Sequence, residues 1–208
     1  MKNDSVTLNE TTNREKDETI KKLVFAAIFA ALSYVVFTFL AIRVPTPGGQ
    51  VSIHLGNAVL ALGALLLGAK YGAAGGAIGL TISDLIDPVY IVEAPASFFI
   101  KLLIGIIIGL IAHKIGHIST ETDKKKVLMW TIIAVTAGMV FNAIGDPGIR
   151  YFYKLIILGK PAAELSFAIN FGVTLLNSVV SIFLTVILYM ALRAPLKKAG
   201  LFFTFEKK

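Results

Sequence analysis

Long apolar stretches separated by short polar punctuation dominate the chain. Leu23–Ile42 carries one such stretch with no charge in it. Leu55–Ala69 is shorter, and Tyr71–Ile86 follows it across little more than Lys70. Ala94–Ala112, Val127–Gly145 and Leu165–Leu192 complete the set. A helix needs about 20 residues, with 17–25 the usual range, to cross ~30 Å of hydrocarbon. The pattern therefore predicts an all-α integral membrane protein with six transmembrane helices. The second and third are short and joined by a tight turn, and the sixth is long enough to tilt.

Residues 1 to 19, rich in Asn, Thr, Glu, Lys and Asp, cannot bury a core and read as a disordered tail. The expected organisation is a tail over 1–20, a six-helix membrane domain over 21–195 and a basic tail over 196–208. The first apolar run follows a polar segment, has span length and lacks a small-residue cleavage site, so no cleavable signal peptide is expected. With 56% hydrophobic and 16% charged residues, the composition is that of a polytopic membrane protein. That class changes the meaning of the net charge of +7. In a soluble chain it suggests nucleic acid; here it reads as lysine and arginine flanking the spans, and no nucleic-acid partner is expected. Six spans with an inside N-terminus put fifteen Lys and Arg on the cytoplasmic side and four outside (Arg43, Arg150, Lys154 and Lys160). Both termini are therefore predicted to be cytoplasmic. The chain has no cysteine, so disulfides and thiolate metal sites are excluded.

Lys101 stands alone inside an apolar run. A charge at the centre of a span costs roughly 2.5–3.5 kcal/mol on insertion scales, which makes it a functional-site candidate. Ser97, Lys101, Gly105 and Gly109 recur every four residues and share one helix face. Small residues at that spacing let another helix approach closely, so Lys101 is expected to point into the bundle. With the topology above, His54 and Asn57 lie near the outer end of span two, and Asp84 and Asp87 close span three. Asn142 and Asp146 close span five, and Asn170 and Thr174 lie near the outer end of span six with Asn177 deeper. The inner halves are apolar, as in Leu65-Leu66-Leu67 and Ile106-Ile107-Ile108. Such a chain resembles a cup open to the outside with a sealed floor, suited to a small molecule. An ion pathway would instead want polar groups along its whole depth.

Other readings stand beside these. Lys101 as a snorkelling anchor, Asp84 as its neutralising partner, His54 as an ordinary interfacial histidine, and Asn142 and Asn177 as interhelical hydrogen-bond glue are each compatible with the sequence. Glu93 falls in an outer loop, where it can be solvated. The segment Arg43–His54 has two prolines and paired glycines, which fits either a lid over the cup or a plain connector. No phosphate-binding loop, zinc-protease motif or Ser/His/Asp set can be singled out, so no enzymatic activity, cofactor or metal is expected. His113 and His117 lie four apart but lack further ligands.

Ala26, Ala27, Ala30 and Ala31 form overlapping A-x-x-x-A repeats on span one, a smooth surface for another helix. Three further runs bear on this: Val-Ser-Ile-His-Leu-Gly-Asn (51–57), Leu-Leu-Leu-Gly-Ala-Lys-Tyr-Gly-Ala-Ala-Gly-Gly-Ala-Ile-Gly (65–79) and Phe-Phe-Ile-Lys-Leu-Leu-Ile-Gly (98–105). Together with the alanine repeats, the six short helices and the Pro-Gly-rich first outer loop, they resemble the substrate-binding S components of energy-coupling factor (ECF) transporters. The likeness covers Lys21 to Leu192 and is greatest to the riboflavin-type group. It implies a prokaryotic plasma-membrane protein that captures a vitamin or vitamin precursor from outside. It also implies docking through the alanine surface onto a transmembrane coupling subunit, which two cytoplasmic ATPase subunits drive. By position it nominates His54, Lys101, Asn142 and Asn170; depth adds Asn57, Asp84 and Asn177. The alternative is a stand-alone small secondary transporter, which calls for inverted repeats and broken helices at mid-depth.

Overall fold

Lipid offers backbone N–H and C=O groups no partners, so long apolar runs must satisfy them internally as helix. A computed structural model of the protein describes residues 2–46, 49–159 and 163–205. Helix α1 (Lys2–Phe39) leads into an antiparallel hairpin of β1 (Ile42–Thr46) and β2 (Gly49–Ile53). Then come α2 (Gly56–Ile86), a 3-10 turn (Ile91–Glu93), α3 (Ala94–Leu110), α4 (Lys124–Phe152) and α5 (Ala163–Lys198). Helices α3 and α4 each run on into a π turn, Ile111–Ile115 and Tyr153–Ile157. Five helices among the described residues are long and apolar enough to cross a membrane, making this a multi-pass membrane protein.

Helix α2 is broken at Gly68, whose φ of 77° and ψ of 179° only glycine adopts readily. A side chain there would also meet the Phe205 ring at 2.9 Å. The two arms, 56–67 and 69–86, fold back on each other. Gly72 lies against the Gly63 carbonyl, and a Cβ on Gly76 would come within 2.7 Å of Leu60 Cγ. The tight turn expected between the second and third apolar runs is thus present, pivoting on Gly68.

Because lipid tails are as apolar as leucine, helices associate here by close packing over small residues. Gly75 and Gly79 sit directly on the backbone of Ala26 and Ala30 in α1. Gly105 and Gly109 of α3 sit on Ala73 and Ala69 of the second arm, and Gly138 of α4 receives Ile108. The Ser97–Gly109 stripe therefore does face a helix, and Lys101 on it is buried. Leu60, Leu65, Leu67, Ile100, Ile104 and Ile108 fill the interior. Ile156, Phe183 and Ile187 point outward and are 64–74% exposed, as expected of an apolar girdle in lipid.

Three expectations change. The all-α class holds, but the Pro-Gly segment read as a loop forms a hairpin, with Ile42 opposite Ile53 and Val44 opposite Val51. β-Branched residues alternating with Arg43 and Ser52 favour that pairing, and Pro45 is tolerated because a two-stranded sheet is all edge. Pro47 and Gly48 at its tip lie outside the described residues. Second, α1 begins at Lys2, so the stretch read as an irregular tail is helical; Glu15 to Lys21 are exposed, outside the core. A lone helix satisfies its own backbone bonds without needing a core. Third, α5 runs to Lys198, and the segment after it folds back onto the bundle instead of trailing away. Phe203 is buried, Phe205 packs on His113 at 4.3 Å, and the Phe205 N–H donates to Ser119 Oγ at 3.1 Å. Lys22 lies over both rings, at 5.5 and 5.0 Å.

Candidate functional site

Helices α3 and α4 run antiparallel, and each presents a polar ladder of period four to the other. On one side stand Glu93, Ser97 and Lys101; on the other stand Asn142, Asp146, Arg150 and Lys154. Residues four apart share a helix face, so the two ladders zip together. Lys101 Nζ donates to Asn142 Oδ1 at 3.1 Å and to Asp146 Oδ2 at 3.0 Å. Arg150 donates to Ser97 Oγ and to Glu93 Oε2, both at 2.8 Å, and to Asp146 Oδ1. Lys154 pairs with Glu93 Oε1 at 3.1 Å. Glu93, Lys101, Asp146 and Lys154 are buried and Arg150 is partly buried, and each has an opposite charge beside it. That is the condition under which buried charges are tolerated.

This ladder forms one wall of a cavity. The rest is lined by Asn57, Leu80 and Asp84 of α2, Asn170, Thr174 and Asn177 of α5, Phe37 of α1, and the hairpin. Its void measures about 580 Å³ including the mouth, but only about 50 Å³ is wide enough for water. Ligand sites are usually 300–1,000 Å³, so the space open to water here is well below that range.

The cover is the β hairpin, held at four points. Asn177 clamps it by accepting from the His54 backbone N–H at 3.1 Å and donating to the Ser52 carbonyl at 2.8 Å. Ser52 Oγ and Tyr90 Oη lie 2.9 Å apart, and Arg43 pairs with Asp87 at 3.0 Å. Phe37 stands edge-on to the His54 ring at 4.5 Å. His54 Nδ1 accepts from the Gly56 N–H at 3.1 Å, which places the proton of the neutral ring on Nε2. Burial, reinforced by the nearby Lys101 charge, lowers the His54 pKa to about 3, so the ring is neutral at physiological pH. Burial raises Tyr90 to about 12, keeping its hydroxyl protonated.

Six of the residues singled out in the sequence line the cavity: His54, Asn57, Asp84, Lys101, Asn170 and Asn177. Asn142 does not. It lies behind Lys101, fully buried, accepting from that ammonium and donating to Ser178 Oγ at 2.8 Å. The snorkelling alternative for Lys101 fails, because its side chain is only 6% exposed. Its carboxylate partner is Asp146, not Asp84, since Asp146 faces it from the adjacent ladder. Glu93 is buried, not solvated. Arg150 and Lys154 are not singled out by the sequence because the fifth apolar run ends at Gly145, and Glu93 is read there as a solvated loop residue. Helix α4 runs on through Asp146 and Pro147 to Phe152. The period-four spacing from Asn142 to Lys154 was the available signal.

Two cavity groups stand apart from the ladder's ion pairs. Asn57 Oδ1 is buried without a hydrogen bond among the described residues. Asp84, 4% exposed, is the lining carboxylate with no ion pair among them. The alanine surface divides as well. Ala26 and Ala30 are half-buried against Gly75 and Gly79, while Ala27 and Ala31 are exposed. All four line a shallow apolar groove with Tyr34, Tyr71 and Ile78.

The chain's residues 17–194 match the family described as ECF-type riboflavin transporter, S component. It is 31% identical over 162 residues to a UPF0397 protein of Streptococcus agalactiae, covering 77% of this chain and 84% of that one. It is 29% identical over 187 residues to a UPF0397 protein of Lactobacillus helveticus, covering 90% and 96%. The buried polar cup within a multi-pass bundle and the match across most of the chain have one reading: the chain belongs to the ECF-type riboflavin transporter S component family, the substrate-binding membrane subunits of transporters.

Proposed function

We propose that this subunit captures one water-soluble vitamin or vitamin precursor in the cup and delivers it through an ATP-driven importer. The observation that carries the reading is Asn57 Oδ1, a buried acceptor with no hydrogen-bond partner among the described residues, in the lining of the cavity. A bound molecule with an N–H or O–H donor supplies what Asn57 lacks. His54 Nε2–H offers the complementary donor. Lys101 and Arg150 are both engaged by carboxylates, so their charge is largely spent on the protein. The favoured ligand is therefore a neutral heteroaromatic with a donor–acceptor edge. The riboflavin of the family's description is one molecule of that kind.

Six crossings with both termini in the cytoplasm fit the geometry. The two arms of α2 serve as two crossings, and Lys22, Gly68 and Phe205 meet at one end of the molecule, opposite the cup. The hairpin is the gate: opening it requires release of the Asn177 clamp and the Arg43–Asp87 pair. Ala27 and Ala31 are the surface for a transmembrane coupling subunit, driven by two cytoplasmic ATPases. The test is reconstitution in proteoliposomes. Uptake of the ligand is expected only with the coupling and ATPase subunits and ATP. Uptake by this chain alone under a proton or sodium gradient contradicts the proposal.

A further inference from the structure

A second cavity lies at the end opposite the cup, beside the break at Gly68; its void is about 1120 Å³ including the mouth, of which about 520 Å³ is wide enough for water. Its walls are apolar, with Leu67, Leu110 and the Phe205 ring, and its rim carries Lys22, Lys70 and Lys114. No carboxylate is among its described lining residues. Lys22 is held by Glu18 at 2.5 Å and by two phenylalanine rings. Lys70 and Lys114 are exposed and have no ion pair among the described residues. His113 lines the same cavity. It is 7% exposed, and among the described residues its ring nitrogens have only the Ala64 and Leu65 backbone nearby, without good hydrogen-bond geometry. A bound polar group would give this ring the well-formed hydrogen bond that buried polar atoms normally have.

We propose that this cavity holds the head group of an anionic phospholipid. Lys70 and Lys114 meet the phosphate oxygens, a His113 nitrogen bonds the head group, and the start of the acyl chain runs along Leu67 and Leu110. Cationic rims over apolar walls between membrane helices suit this amphiphile. A free phosphate, fully hydrated, gains nothing from apolar walls, and a zwitterionic lipid gains little from unpaired lysines. The proposal concerns a site separate from the cup and does not depend on what the cup binds.

The test follows thermal unfolding of the purified full-length chain in neutral detergent through Trp130 fluorescence. Phosphatidylglycerol, phosphatidylcholine or inorganic phosphate is added at equal concentration. Phosphatidylglycerol is expected to raise Tm by about 3 °C or more, as binding to the folded state does. The other two are expected to leave it nearly unchanged. The K70Q/K114Q double variant, altered only at exposed side chains, is expected to lose most of the rise. Equal protection by phosphatidylcholine overturns the head-group assignment, and equal protection by inorganic phosphate makes this a free-anion site. A full phosphatidylglycerol response in the double variant overturns the proposal altogether.

Discussion

Lys101 illustrates how a single buried charge is held. Two acceptors take its protons, and one of them, Asp146, is shared with Arg150. Removing one partner of a buried ion pair typically costs 3–5 kcal/mol. Lys101→Met is therefore expected to lower the melting temperature in detergent and to weaken ligand binding, both read from one titrated melt. Asn57 gives the contrasting case. Its carbonyl has no protein partner, so Asn57→Ala is expected to leave the unliganded melt unchanged or slightly higher. Ligand affinity should drop by about fivefold, the worth of one hydrogen bond of about 1 kcal/mol. A pH effect follows from His54. Its pKa is lowered from 6.5 unfolded to about 3 folded, so between those values the unfolded chain binds more protons. Stability should be complete above pH 6.5 and fall as pH drops toward 3, and His54→Asn should flatten that limb in melts between pH 7.5 and 4. At this scale the sequence was informative about which residues matter and less so about pairing. Lys101 and the asparagines stood out because polar groups are rare in spans. Asp146 as partner did not, because pairing depends on the facing helix.

At the level of elements, period-four small residues carried most of the legible fold. The stripes at Gly75–Gly79 and Gly105–Gly109 each become a helix contact. The hairpin was not legible: its prolines and glycines read equally as a loop, and strand pairing is a property of two segments together. The divided alanine surface makes a prediction of its own. Gly79→Leu should drive a side chain into the Ala30 carbonyl and destabilise the fold, as overpacking commonly costs about 1–3 kcal/mol. Ala27→Trp and Ala31→Trp, on the exposed side, should leave both the melt and ligand binding unchanged. In the reconstituted system the same two variants should abolish uptake. Normal uptake with both tryptophans in place places the coupling interface elsewhere.

Across the whole molecule, polarity is segregated. One end holds the charge ladder and the hairpin, and the middle is packed with leucine and isoleucine. The other end gathers Lys22, the Gly68 break and the aromatic residues after α5. Hydropathy alone made the apolar middle and the outer cup readable, because lipid fixes the length and polarity of each span. The folded-back C-terminal segment was hidden, since short aromatic runs among lysines have no periodic signature. The proposed receptor role fits this build: among the described residues, a polar chamber lies under a hairpin and above a tightly packed apolar middle. Native mass spectrometry of the purified wild-type chain probes that reading in a single experiment. One small molecule bound at one copy per chain, released on denaturation and lost in Lys101→Met, is the expected result. A wild-type chain that carries no small molecule and takes up none from a vitamin mixture contradicts it.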